Sequence, residues 1–197
     1  MDVTDLLLRR RELMMGKKSQ SILPSGYLEC EYIEGTSSLS TMSTNVSGIS
    51  TWLIDVYHPN KTGGNQIVIG RYDSGSNWLV ADDGASWGPG ANKKIGSCSV
   101  RTIIEVEFTS NGLVTTNTAT GVSIDRTGSA RPQNTIDLFG WNNKYKYTGR
   151  MYSAKCIEGG SFDGIPAKRV SDGAFGLYDI ANGVFYGGSG YTGVLKT

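Results

Sequence analysis

Two carboxylates that alternate along one predicted strand come nearest to a catalytic arrangement. Glu105 and Glu107 lie in the segment RTIIEVEFT, and side chains two positions apart on a strand point the same way. Carboxyl groups roughly 5 to 6 Å apart suit the acid and the nucleophile of a retaining glycosidase. No third acid accompanies this pair, and the strand alternates so regularly that its polar side fits an ordinary solvent face. We therefore predict a structural role for it, as for Glu29 and Glu31.

Other groups that could act as a nucleophile or a base are few. His58 is the only histidine, which leaves room for one His-centred triad at most. Its position before Pro59 and Asn60 predicts a loop residue at the end of a strand. Cys98 has no evident base beside it in the segment GSCSVR and is expected to be a small core or loop residue. The sequence therefore predicts that the chain is not an enzyme.

Two loops combine aromatic rings with the acidic or amide groups that lectin-like sites use. In such sites the ring packs against the apolar face of a sugar, while the polar groups fix its hydroxyls. The loop DDGASWGPGANKK offers Asp82, Asp83, Trp87 and Asn92. The loop GWNNKYKYTG offers Trp141, Asn142, Asn143, Tyr145 and Tyr147. Both are predicted as candidate glycan sites; the alternative is that the rings plug the end of the fold and that Asn-Asn is ordinary turn chemistry.

The first of these loops also raises the question of a metal ion. Asp82, Asp83 and Asn92 would supply hard oxygen ligands of the kind that Ca²⁺ prefers. The spacing of an EF-hand is absent, however, and Asp-Asp-Gly is a common turn. We expect no cofactor and no bound metal, with calcium as the alternative.

The elements that must position these residues are short strands. From Tyr27 onward, apolar and β-branched runs alternate with turn signals, and the 27 glycines fit many tight turns. The clearest strand should bury Thr102, Ile104, Val106 and Phe108, and the SNG turn at residues 110–112 should join it to the next strand. The predicted fold is all-β, a two-sheet antiparallel sandwich.

The beginning of the chain has a different pattern. Residues 2–15 predict a short helix that Asp2 or Thr4 caps and Gly16 ends. A helix of about 14 residues is marginal alone in water, so we predict an attachment element; a frayed tail or docking on its own domain are the alternatives. The predicted attachment face comprises Val3, Leu6, Leu7, Arg10, Leu13 and Met14. The predicted domains are thus residues 1–19, helix and linker, and residues 20–197, the β-sandwich.

Charge and composition exclude several classes of protein. A net charge of +1 argues against a partner in nucleic acid, because such binding relies on neutralising phosphates. No run of about 18 apolar residues is present to span a membrane, and the N-terminus lacks the order of a signal peptide. Cys30, Cys98 and Cys156 lie far apart, which favours reduced thiols, with one disulfide and one free thiol as the alternative.

Both ends of the chain resemble one family. LPSGYLECEYIEG resembles the opening segment of concanavalin A-like (laminin-G-like) jelly-roll domains found in gut-bacterial phages and prophages. GRMYSAKCIEGG and IPAKRVSDGAFGLYDIANGVFYGGSGYTG resemble that family's Arg-Ile/Met-Tyr-Ser strand and its closing Gly-Leu/Met-Tyr-Asp and Asn-Gly-x-Phe-Tyr pattern. The likeness covers about residues 22–195, although Leu39, Ser40, Thr41 and Met42 depart from the family's aromatic second strand.

The resemblance implies how the fold closes. In such a jelly roll the first and last strands lie side by side, so the C-terminal hairpin should seal the sandwich. Asp179 is expected to accept backbone N–H bonds in the turn, and Asn182 and Gly183 to adopt positive φ. The residues expected to bury apolar surface are Phe175, Leu177, Val184 and Phe185.

The resemblance also implies a role in a virion. The expected protein is a non-enzymatic capsid decoration, head fibre or tail-associated knob, made in the host cytoplasm without a signal peptide. Its partners would be other virion proteins or copies of itself, in a homo-oligomer, together with host-surface glycans. The alternative is a carbohydrate-binding module of an adhesin on a bacterial surface. A glycoside hydrolase is least favoured, because Glu105 and Glu107 lack the central Asp of the family's Glu-x-Asp-x-(x)-Glu pattern.

Overall fold

The computed structural model describes residues 21–59, 64–71, 78–82, 84–90, 93–127, 135–141 and 144–197. Every regular element in these ranges is a β-strand, and the strand pairs are antiparallel. The prediction of an all-β sandwich of two antiparallel sheets is therefore confirmed. No helix in these ranges is long and apolar enough to cross a membrane. The predicted helix, with Val3, Leu6, Leu7, Arg10, Leu13 and Met14, lies outside the described residues.

The described strands fall into a larger and a smaller sheet. In chain order they are β1 (Tyr27–Gly35), β2 (Met42–Ser47), β3 (Ser50–Tyr57), β4 (Gln66–Arg71), β5 (Trp78–Ala81), β6 (Ser86–Pro89), β7 (Gly96–Ser97), β8 (Thr102–Phe108), β9 (Gly112–Asn117), β10 (Ser123–Thr127), β11 (Thr135–Leu138), β12 (Arg150–Glu158), β13 (Phe162–Arg169), β14 (Phe175–Asp179), β15 (Val184–Gly188) and β16 (Tyr191–Leu195). The ten-stranded sheet has the order β10-β9-β8-β3-β12-β1-β13-β14-β15, and β16 pairs with β1. The six-stranded sheet has the order β2-β11-β4-β5-β6-β7.

Period-two alternation places the core between the sheets. In β8 the side chains of Thr102, Ile104, Val106 and Phe108 are buried, as predicted, whereas Ile103 and Glu107 are exposed and Glu105 is half-buried. The predicted turn at residues 110–112 joins β8 to β9, where Phe108 pairs with Leu113. Each square ångström of apolar surface removed from water in this way contributes about 25 cal/mol. Cys30, Cys98 and Cys156 are buried free thiols.

A fully buried arginine connects the two sheets. Arg71 ends β4 in the six-stranded sheet, and its guanidinium donates to the carbonyl of Gly48 at 3.3 Å and to that of Thr109 at 3.1 Å. It also donates to the carbonyl of Gly112 at 3.4 Å and lies 5.1 Å from the ring centroid of Phe108. Since Thr109 and Gly112 belong to the β8–β9 turn, one side chain of the smaller sheet fixes a hairpin of the larger one.

The last strand lies beside the first described strand, as expected. In this pair Cys30 faces Leu195 and Gly35 faces Tyr191. The hairpin of β14 and β15 does not itself pair with β1; β13 separates them, and β15 forms the edge of the sheet. Its contact with β1 is made by side chains, because the Tyr27 ring packs 4.6 Å from that of Tyr178 and 5.4 Å from that of Phe185.

The apolar side chains of this hairpin differ from the prediction in one respect. Leu177 is fully buried, and Phe175 and Phe185 are half-buried, but Val184 is exposed. Val184 lies on the same side of β15 as Tyr186, and its exposure follows from its position as the first residue of an edge strand. Tyr186, which was not expected to contribute, packs against Phe162 at a centroid distance of 5.6 Å.

Candidate functional site

The structure removes Trp87 from the candidate glycan site in the first loop. Residues 86–89 form strand β6 rather than a loop, and the Trp87 side chain is 0% exposed within the core. Its ring lies 6.1 Å from that of Tyr147. A ring in this position has no face to offer a sugar, so the prediction for Trp87 is wrong. The burial follows from the packing of a short inner strand on the opposite sheet, which the Gly- and Pro-rich sequence around it does not reveal.

The acidic part of the first loop is occupied by contacts within the protein. Asp82 is buried, and its Oδ1 accepts the backbone N–H of Ser86 at 3.2 Å and the Ser86 hydroxyl at 3.0 Å. Its Oδ2 lies 3.7 Å from Nζ of Lys94. Asp83 and Asn92 lie outside the described residues. Within the described ranges, no group of three or more His, Cys, Asp or Glu side chains is arranged to hold a metal ion.

The first loop also contains a possible nucleophile motif that was not predicted. The segment GASWG, residues 84–88, fits the Gly-x-Ser-x-Gly pattern of a nucleophile elbow. In an elbow the serine sits exposed on a strand-to-helix turn, whereas Ser86 is 6% exposed, begins strand β6 and donates its hydroxyl to Asp82. Its placement therefore supports a structural role, in a turn that the Asp82 carboxylate holds together.

The candidate carboxylates lie on the outer face of the larger sheet. Glu105 pairs with Leu53 and Thr116, and Glu107 pairs with Thr51 and Val114, so the strands on either side supply no further acid at these positions. Glu29 binds Lys196, with Oε1 and Nζ 2.5 Å apart. An acid and a nucleophile need a substrate held between them, and a sheet face flanked by Thr, Leu and Val side chains does not form such a cleft.

His58 lies after the end of β3, as expected, but its side chain is buried. Its Nε2 lies 3.0 Å from Oε1 of Gln66 and 3.4 Å from the Thr148 hydroxyl. Gln66 in turn accepts the backbone N–H of Thr148 at 2.8 Å. The histidine therefore helps to fix the end of the second candidate loop.

The second candidate loop brings three aromatic rings together at the surface. Trp141 and Lys144 face each other in an isolated antiparallel β-bridge. Each backbone N–H donates to the other residue's carbonyl, at 3.0 and 2.8 Å. Tyr145 follows with φ of +48°, and its ring stacks on that of Trp141 at 6.1 Å and an interplanar angle of 29°. The ring of Trp78, the first residue of β5, is tilted by 44° against that of Trp141, with the ring centroids 5.3 Å apart.

We call Trp78, Trp141 and Tyr145 the aromatic ledge. Tyr145 is 55% exposed, and Trp78 and Trp141 are half-buried, so their rings form a surface that water reaches. Residues that face each other across a β-bridge carry their side chains on the same side, which places Lys144, an exposed residue, next to Trp141. Asn142 and Asn143 lie outside the described residues.

Tyr147, the last aromatic residue of this loop, belongs to the core. Its ring is 0% exposed, and its hydroxyl donates to the carbonyls of Tyr57 at 3.1 Å and Arg150 at 3.2 Å. Burial raises the pKa of this phenol well above its usual range. The prediction that Tyr147 contributes to a surface site is therefore wrong, because the loop turns inward between Tyr145 and Tyr147.

A groove beside the ledge was not predicted. Its volume is about 370 Å³, and it opens to solvent between the segment that leads into β2 and the β15–β16 turn. It is lined by Ser38, Ser40, Thr41, Met42, Ser43, Phe185, Tyr186, Gly187, Gly188, Ser189, Gly190 and Tyr191. The only signal in the sequence is that the first segment is rich in serine and the second in glycine. Their meeting depends on the pairing of β16 with β1, which joins residues far apart in the chain.

Comparison of the chain with protein-family models, with curated proteins and with solved structures finds no match.

Proposed function

We propose that this chain is a non-catalytic virion accessory protein of a phage, a concanavalin A-like jelly roll that binds saccharides at its aromatic ledge. The sequence resemblance at both ends of the chain supports the virion setting and the finer assignment of the fold. The observation that carries the binding function is the stacked pair of Trp141 and Tyr145, which is held at the surface and remains open to solvent.

The ledge has the chemistry that saccharide binding needs. A pyranose presents an apolar face of C–H groups, and a flat aromatic surface removes that face from water at small entropic cost. The ledge is held in place by two contacts. Two backbone hydrogen bonds join Trp141 to Lys144, and the Trp141 indole packs against the ring of Trp78. A preorganised platform of this kind loses little freedom when a ligand binds.

The other residues weighed for chemistry support a non-catalytic role. Ser86 and His58 are buried and engaged with neighbouring side chains, and Glu105 and Glu107 lie on an open sheet face. Among the described residues, the surface feature best suited to a ligand is thus made of rings and hydroxyls rather than of reactive groups.

Binding is tested on a glycan array that carries mucin-type glycans and bacterial capsular polysaccharides, followed by titration calorimetry. Trp141→Ala and Tyr145→Ala should each weaken binding at least about tenfold, which corresponds to ~1.4 kcal/mol. Val122→Ala removes an exposed apolar side chain elsewhere and is the control, with unchanged affinity. Absence of binding to every saccharide at millimolar concentration would reject the proposed function.

The virion role has a separate test. The predicted helix is proposed to fix the domain to other virion proteins or to copies of itself in a homo-oligomer. A chain that lacks residues 1–19 should then remain folded and soluble but fail to assemble. Size-exclusion chromatography with light scattering and incorporation into purified particles measure this; a truncated chain that still assembled would contradict the attachment role.

A further inference from the structure

The groove and the aromatic ledge adjoin each other. Thr41 lines the groove, and its hydroxyl is so near Gly140, the residue before Trp141, that a Cβ added to Gly140 would lie 2.9 Å from it. The same added Cβ would lie 3.1 Å from the carbonyl oxygen of Lys144. From the other side of the loop, Nζ of Lys146 donates to the carbonyl of Ser37 at 3.2 Å, next to the groove residue Ser38. The loop that carries the ledge therefore lies against the wall of the groove at Thr41.

Hydrogen bonds fix the walls of the groove. The hydroxyl of Tyr191 donates to the carbonyl of Ser40, and the Ser43 hydroxyl donates to Asp137 at 2.7 Å. The backbone of Thr36 donates to the carbonyl of Gly190 at 2.9 Å, which joins the two segments at the base of the groove. The groove is thus part of the folded framework, with a volume at the small end of the roughly 300–1,000 Å³ that ligand pockets occupy.

The lining of the groove selects for an uncharged, hydrogen-bonding ligand. It offers serine and threonine hydroxyls, the peptide groups of a glycine-rich turn, and the apolar surfaces of Phe185 and Tyr186. None of the lining residues carries a formal charge. The lining residues themselves therefore offer no counter-charge to an ionised ligand, whereas sugar hydroxyls find hydroxyl and peptide partners there.

Because the loop that carries the ledge lies beside the groove, we infer that the ligand is a linear oligosaccharide. One sugar unit stacks on the aromatic ledge, and a neutral unit is seated in the groove. This inference rests on the proposed function and extends it. A monosaccharide would contact the ledge alone, whereas a longer chain would occupy both places. The second unit binds as part of a molecule that is already held, so it loses little further translational and rotational entropy. Affinity should therefore rise with chain length.

The test uses oligosaccharides of one to six sugar units, prepared from the polysaccharide that gives the strongest array signal. Gly188→Phe fills the groove from one wall; a Cβ at Gly188 meets no atom within 4 Å, so the fold has room for it. Ser40→Phe, at an exposed position, fills it from the opposite wall. Gly64→Phe is the matched control, because a Cβ there also meets no atom within 4 Å and Gly64 is not among the residues that line the groove. Thermal melting verifies that each variant is folded.

For the wild type and for Gly64→Phe, the dissociation constant should fall at least tenfold from the shortest to the longest oligosaccharide. Both groove variants should lose this gain while they bind the monosaccharide as the wild type does. Equal affinity for all lengths, or a gain that survives in both groove variants, would overturn the oligosaccharide inference and leave the ledge function standing. If no array saccharide binds, the proposed function and this inference fall together.

Discussion

Oδ1 of Asp179 lies 2.9 Å from the backbone nitrogen of Asp163, and this hydrogen bond ties the C-terminal hairpin to the strand beside it. The same oxygen accepts the backbone N–H of Ala181 at 3.1 Å, and Oδ2 accepts the side-chain amide of Asn182 at 2.6 Å. The carboxylate is fully buried, and Gly183 has the expected positive φ, +70°, whereas Asn182 does not adopt the positive φ that was expected for it. The motif that closes the chain therefore has a structural cause: one acid satisfies three donors in a tight turn.

Replacement of Asp179 by alanine should destabilise the protein by about 1–3 kcal/mol, because the backbone N–H groups of Asp163 and Ala181, in part-buried hydrogen bonds, lose their acceptor. Asp179→Asn should be nearly as harmful, since its new N–H₂ would face the amide of Asn182. Urea unfolding followed by tryptophan fluorescence measures the change. Asp125→Ala, at an exposed position of β10, is the control and should change the free energy of unfolding by less than about 0.5 kcal/mol. Equal stabilities of the Asp179 and Asp125 variants would contradict this account.

Arg71 should be the most sensitive charged residue of the core. Arg71→Met retains apolar volume but leaves the carbonyls of Gly48 and Thr109 without this donor, and we expect a loss of about 1–3 kcal/mol for each acceptor left unsatisfied. Arg71→Lys keeps the charge, yet one ammonium cannot reproduce the planar fork of donors, so it should rescue only part of the loss. Chemical denaturation of both variants checks the order; a lysine variant as stable as wild type would show that charge alone matters.

The cysteines should be unreactive in the folded protein. Burial raises the pKa of the Cys30 thiol from 9.0 to about 11 and also raises that of Cys156. Ellman's reagent at pH 8 should therefore label the native chain slowly and label three thiols rapidly in guanidinium. Because the folded pKa exceeds the unfolded one, the stability that Cys30 contributes is present below pH 9 and is lost as the pH rises through about 11. Rapid native labelling of a thiol would contradict its burial.

Acid should weaken one exposed ion pair. Hydrogen bonds from Arg169, and then from the backbone of Ala174, lower the pKa of Asp172 from 3.8 to about 2. The folded pKa is the lower one, so this contribution is present above about pH 4 and disappears as the pH falls through 2. Carbon-detected NMR should give a midpoint near 2 for the Asp172 carboxyl in the wild type and a higher midpoint in Arg169→Met, still below 3.8 because the backbone N–H of Ala174 remains. A wild-type midpoint near 3.8 would show that the pair does not persist in solution.

The elements that the sequence predicted well are those whose signal is local. Apolar and polar residues alternate so regularly in β8 that its buried face could be assigned residue by residue. The sequence of the Ser110–Gly112 turn correctly predicted the hairpin that joins β8 to β9. Trp87 was misplaced because its neighbours are glycine, proline and serine, which resemble a loop. Only packing against the other sheet makes this segment an inner strand.

The same distinction between local signals and long-range contacts applies to the candidate site. Trp141 and Tyr145 were found because their loop carries them close together in sequence, whereas Trp78 joins them from a different strand. The groove could not be found, since its walls meet only after β16 has paired with β1. Contacts of this kind depend on the topology of the whole fold. The residues that make them show no periodic pattern in the sequence from which the contact could be predicted.

The short strand β16 also separates two ends of the molecule. Its first residue, Tyr191, lines the groove, and its last, Leu195, pairs with Cys30 near the start of β1. The pairing of Cys30 with Leu195 therefore lies about 13 Å along β16 from the groove residue Tyr191. A partner that binds the sandwich beside Leu195 would leave the groove open to solvent.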